Sequence, residues 1–148
     1  MAYKNALSAY RETRIKTAGQ GQLIIMLYDA AIKQLDSALE CLHPAAGQKR
    51  DPAKIEKTGK SVLKTQEIIT ELMVSLDMDA GGEIAANLFS LYTWFNHELL
   101  EASITQDAAR IATVRGMLAD LRGTWHQAIA QTAAVSNRDG FAGVRLAG

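Results

Sequence analysis

From Leu23 to Leu42 the apolar residues recur in steps of three and four, the spacing that keeps side chains on one face of an α-helix. On a wheel at roughly 100° per residue, Ile24, Tyr28, Ala31, Leu35, Ala38 and Leu42 form one stripe. Ile25, Ile32 and Leu39 flank it on one side, and Leu23, Leu27 and Ala30 on the other. The apolar arc thereby grows to roughly 220°, broken mainly by Gln34. A core-facing surface helix needs an arc only a little over ~100° wide. This helix is therefore expected to serve the core and also a second, external apolar surface.

The same period continues downstream. A second stripe holds Ile55, Gly59, Val62, Gln66, Ile69, Met73 and Leu76, a third Ile84, Leu88, Leu91, Phe95, Leu99 and Ala102, and a fourth Ile111, Val114, Leu118, Leu121, Trp125 and Ala128. No segment sustains the alternation of a strand. The breaks are equally readable. Pro44 and Pro52 bracket "PAAGQKRDP", with Asp51 as the expected N-cap and Pro52 at the first helical position. "DMDAGG" interrupts residues 77–82, and in "SITQD" either Thr105 or Asp107 could cap the next helix. The pattern predicts an all-α, antiparallel up-and-down four-helix bundle with helices over 20–43, 52–77, 82–103 and 107–134. Residues 1–14 form a short, marginal helix with Leu7 and Tyr10 on one side. Residues 136–148, "SNRDGFAGVRLAG", are Gly-rich and are expected to be a loose tail.

At 148 residues the chain suits a single domain. Its 16 basic and 16 acidic side chains balance to zero formal charge. The balance supplies no bulk attraction to nucleic acid or to an anionic membrane. The N-terminus is polar, no apolar run of membrane-spanning length occurs, and Cys41 is the single cysteine, so a cytoplasmic protein is expected.

Chemistry is hard to find. A di-iron carboxylate bundle needs two Glu-x-x-His pairs plus a Glu from each remaining helix; Glu40-Cys-Leu-His43 is one such pair, but Trp94 precedes His97 and Gly123 precedes His126 at the matching positions. No metal, no cofactor and no catalytic residue are expected. His97 lies in a polar sector with Glu98 and Glu101, Lys54, Lys57, Lys60 and Lys64 read as a solvated helix face, and Gln66 as a satisfied buried amide. Trp94 is more informative, because it points roughly 100° away from the core direction of its helix, among Asn87, Ser90, Glu98 and Glu101. Exposed aromatics are enriched at interfaces. Phe89 and Leu100 widen the arc on the opposite flank. Two helices thus carry more apolar surface than a four-helix core buries, which marks a partner site. Read from the residues alone, one such protein is a helical regulatory adaptor that binds a folded partner through an exposed aromatic and apolar patch.

The blocks "TAGQGQLIIMLYDAAI", "ELMVSLDMDAGGEIAANLFSLYTWF" and "LADLRGTW" together resemble the flagellar export chaperone family FliS. The matching positions are Thr17-Ala18, Leu23-Ile24, Met26-Leu27-Tyr28-Asp29, Leu76-Asp77, Gly81-Gly82, Asn87-Leu88, Leu91-Tyr92, Leu121-Arg122 and Trp125, in order from about Tyr10 to Ala130. Gln20, Ala30 and Ser103 depart from the family pattern of proline, glycine and asparagine. The resemblance implies a cytoplasmic bundle that binds the disordered C-terminal segment of flagellin. It would prevent premature polymerisation and hand the subunit to the flagellar type III export gate, with a co-chaperone or an anti-sigma factor as further candidates for partners. It also implies that the N-terminal segment, with Leu7 and Tyr10, covers part of the groove when no client is bound. Combined with the excess apolar arc, it points to Leu23, Ile25, Met26, Ile32, Leu39, Phe89 and Trp94 as groove residues.

Overall fold

The computed structural model contains four α-helices in order, α1 (Ala2–Leu42), α2 (Pro52–Val74), α3 (Met78–Thr105) and α4 (Ala108–Ala147). It describes the backbone of residues 2–42 and 51–147 and the side chains of residues 19–42 and 51–132; no strand occurs among them. The side chains of Leu7 and Tyr10, His43 and most of the proline-bracketed loop lie outside the described residues. Packing divides the chain into two compact units, one of Met1–Ile25 with Asp120–Gly148, the other of Met26–Ala119.

Each downstream helix begins on an aspartate. Asp51 accepts from the Ala53 N–H at 2.9 Å with Pro52 at the start of α2, as expected. Asp77 accepts from Asp79 and Ala80, and Asp107 from Ala109 and Arg110, satisfying amides that no helical carbonyl can reach. Of the two candidates in "SITQD", the cap is therefore Asp107; the Thr105 hydroxyl instead donates to the Glu101 carbonyl. Gln106 takes the left-handed C-cap position of α3 with φ 56°.

The helices outrun the expected boundaries at both ends of the chain. A break does separate the N-terminal segment from the rest of α1, but it is confined to Gly19 (φ 74°, ψ 169°), with helix on both sides. At the other end α4 continues to Ala147 where a loose, non-helical tail was expected. Nucleation is the costly step of helix formation, and extending an existing helix adds a hydrogen bond for every residue fixed. Scattered glycines therefore interrupt a sequence pattern more readily than a running helix.

Within the Met26–Ala119 unit, Tyr28, Leu35, Ile69, Leu72, Tyr92, Phe95, Leu99, Ile111, Val114 and Leu118 are fully buried. Four pairings tie its helices together. The Tyr28 and Tyr92 hydroxyls share a buried hydrogen bond of 2.5 Å between α1 and α3. Gln66 Nε2 donates to the Asn96 carbonyl at 3.0 Å between α2 and α3. Arg115 meets Asp36 at 2.9 Å between α4 and α1, and Arg110 meets Glu98 at 3.6 Å between α4 and α3. With turns of three residues after α2 and two after α3, successive helices reverse direction, as in an up-and-down bundle.

Several predicted core positions are corrected, among them Ala128, which is exposed. Ile84 is 72% exposed, and Leu121, with Trp125, is only half-buried. Ile84 lies just past Gly82, whose φ of 53° and ψ of −129° split α3 near its start. Wheel position says nothing about whether another element overlaps a helix at that level. The Gly82 conformation is open to glycine and strained for other residues. No atom lies within 4 Å of a Cβ placed there, so the effect of Gly82→Ala is purely a backbone effect. Denaturant titration of this variant should show a loss of about 1–3 kcal/mol.

Candidate functional site

The buried face of α2 is not the one its apolar pattern indicates. Thr58, Ser61 and Thr65 are buried together with Val62, Ile68, Ile69 and Leu72. The Thr58 hydroxyl donates to the Lys54 carbonyl and the Thr65 hydroxyl to the Ser61 carbonyl, both at 2.9 Å, so these groups need no partner elsewhere. This rotates the core face by about 70° from the stripe drawn through Ile55, Gly59, Gln66 and Met73. Ile55 thereby leaves the core, and Leu63 and Val74, which lie outside the predicted stripe, face out as well. Ile55, Leu63 and Val74 on α2 are exposed, Leu63 by 56%.

α3 turns a matching surface to the same side. Phe89, Leu100 and Ile104 are exposed, and they fall on the flank of α3 that also bears Asn96, whose carbonyl receives Gln66. That hydrogen bond sets the register of the antiparallel pair. At a rise of ~1.5 Å per residue, Leu63 and Leu100 lie about 5 Å from it toward one end. Val74 and Phe89 lie about 10–12 Å toward the other end, and Ile55 and Ile104 about 12–16 Å out on the Leu63 side. The six side chains form three rungs along a face roughly 22–28 Å long. The hydroxyls of Thr70 and Thr93, between the rungs, donate at 2.9 Å to the carbonyls of Gln66 and Phe89, and so are satisfied within their own helices.

Of the residues singled out from the sequence, Phe89 belongs to this face and is 43% exposed. Trp94 is also exposed, but it lies roughly 140° around α3 from Phe89, so the two are not on one surface. On α1, Leu23 and Ile25 are buried at 2% and 4%, which corrects their placement on an external flank. Met26, Ile32 and Leu39 are half-buried. A wheel shows how wide an apolar arc is, but a helix inside a bundle meets neighbours on more than one side, and α1 buries most of its excess. Leu63, Val74 and Ile104 have no mark in the sequence pattern, and Ile55, which reads there as a core position, is 40% exposed. The available signal was the run of threonine and serine at helical spacing in α2.

Among the described residues no cluster of three or more His, Cys, Asp or Glu could hold a metal ion, and no helix is long and apolar enough to cross a membrane. His97 is exposed, and the lysines of α2 are solvent-facing, with Lys60 paired to Glu56 at 3.2 Å. Gln66 is half-buried, its amide nitrogen satisfied as described. What the second unit presents is exposed apolar surface.

Residues 3–132 match the family model described as flagellar protein FliS. The chain is similar to the flagellar secretion chaperone FliS of Bacillus subtilis, 30% identical over 129 residues that cover 87% of this chain and 90% of the relative. It is likewise similar to the flagellar secretion chaperone FliS of Salmonella typhimurium, 33% identical over 117 residues covering 78% and 81% of the two chains. The matched span takes in α2, α3 and their exposed outer face, and the chain belongs to the FliS family of flagellar secretion chaperones.

Proposed function

We propose that this chaperone binds the disordered C-terminal segment of flagellin in the cytoplasm, keeps it from polymerising prematurely and passes it to the flagellar export gate. The observation that carries the reading is the three-rung apolar face of α2 and α3. Its length suits an amphipathic helix of about 15–19 residues laid along the groove. Ordering a disordered client costs roughly 2–5 kcal/mol, so a total contact on the order of 1,000–3,000 Å² is required, and this face supplies one part of it. Met26, Ile32 and Leu39, half-buried on α1, offer further apolar edge. Residues 1–14, which precede the break at Gly19, act in this reading as a displaceable cover through Leu7 and Tyr10.

Calorimetric titration of the full chain with the C-terminal segment of its own organism's flagellin tests the proposal. A large negative heat-capacity change together with a gain of helicity by circular dichroism is the expected result. Absence of saturable binding, or binding with no change in helicity, would overturn it. Amide exchange over residues 3–12 should also change on client addition while that of Leu35 and its buried neighbours stays slow.

A further inference from the structure

Trp94 marks a different surface. Its ring packs tilted against Phe95, with centroids 5.8 Å apart and planes at 55°, while 40% of the residue stays exposed. Three carboxylates share its direction on α3. Glu83, Glu98 and Glu101 all lie within roughly 40° of Trp94 on the wheel, at about 16 Å before it and about 6 and 10 Å beyond it along the helix. Arg110 on the neighbouring α4 is already shared, since it contacts Glu98 at 3.6 Å and Asp107 at 3.3 Å. Glu83 and Glu101 have no cation within ion-pair distance among the described residues. The surface is thus an exposed aromatic ring with two carboxylates, Glu83 and Glu101, that have no cation partner among the described residues, on a chain whose overall charge is zero.

That combination selects its occupant by charge. A guanidinium or ammonium group stacks favourably on an indole face, and the gain rises when the cation is partly desolvated. A second cation one or two helical turns along the same segment would then reach Glu98 or Glu101. We infer that the Trp94 face of α3 docks a basic, arginine-bearing helical segment of a second protein. The apolar face of α2 and α3 faces another way, roughly 140° around α3 from Trp94, so both surfaces can be occupied together. The inference stands on the geometry around Trp94 and does not depend on flagellin being the client.

A fluorescently labelled alanine-based peptide with three arginines at helical spacing, and its counterpart with glutamates, provide the probe. The full chain should bind the arginine peptide saturably at low salt and ignore the glutamate peptide. Trp94→Ala and Glu101→Lys should each weaken binding by roughly tenfold. Raising the salt well above the physiological range should weaken it further, because exposed charges are screened. Since Trp94→Ala also removes a contact to Phe95, Glu101→Lys serves as the variant that leaves that ring contact in place, and both melting temperatures are measured. Equal binding of the two peptides, or full affinity in Glu101→Lys, would overturn the inference. So would loss of arginine-peptide binding in Leu63→Glu. Sedimentation that shows self-association abolished by Trp94→Ala would assign the face to a second copy of this chain, and would overturn it as well.

Discussion

Replacing Leu63 and Leu100 by glutamate in one variant should lower the affinity for the flagellin segment by about a hundredfold or more while leaving the fold intact. The two leucines form the middle rung of the α2 and α3 face, and they are 56% and 50% exposed in the free protein. Covering each with a client would remove apolar area worth about 1.5–3 kcal/mol for complete burial, so half-exposed side chains supply a share of that. Desolvating an introduced carboxylate without a partner adds a further penalty of about 1–3 kcal/mol or more. Since 1.4 kcal/mol is tenfold in affinity, two such positions reach the stated loss comfortably. Neither substitution opens a cavity, so the melting temperature should move by no more than a few degrees. Titration calorimetry and thermal denaturation of the same preparation separate the two effects. Unchanged affinity in a folded double variant would remove this face from the client site.

Ile25→Glu should behave in the opposite way. On the helical wheel Ile25 sits on the flank of α1, where a charge would be harmless to the bundle. In the structure it is 4% exposed. A carboxylate there must be buried without a partner or protonated, or the surrounding chain must open, and each of these costs several kcal/mol. For a chain of this length each kcal/mol corresponds to roughly 2–4 °C in melting temperature. We therefore expect a fall of about 10 °C or more, visible by circular dichroism, and a stability that recovers partly in acid. The acid recovery follows from the sign of the shift: burial raises the carboxyl's folded pKa above its unfolded value, so the destabilisation is full at neutral pH and shrinks as pH falls and the group is protonated. A variant as stable as the parent would restore Ile25 to the exterior.

These two outcomes differ because the wheel misplaces apolar excess in two places. α1 is so oily that it reads as the helix with surface to spare, yet Leu23, Ile25 and Leu27 are all buried. α2 looks ordinary because its buried face includes Thr58, Ser61 and Thr65. A threonine whose hydroxyl bonds the carbonyl four residues back behaves as a small, nearly apolar side chain, while a pattern count scores it as polar. The α3 reading fared better. Phe89 and Leu100 stand outside the core stripe, and both are exposed. Trp94 is exposed too, but from the other side of the helix, which the spacing of five residues from Phe89 already implied.

The sequence by itself determined the helical class, the four-element order, the breaks and the aspartate cap of α2, because these depend on local chemistry: the 3.6-residue period, proline's missing N–H and the reach of a short carboxylate to a backbone amide. It also carried family membership, through blocks spread over most of the chain. Only the tertiary structure decided which apolar residues face water. Burial depends on what stands opposite a side chain, and a pattern along one helix contains no information about its neighbours. The register set by Gln66 and Asn96 brings Leu63 level with Leu100 and Val74 level with Phe89, and so converts exposed residues distant in sequence into one continuous face.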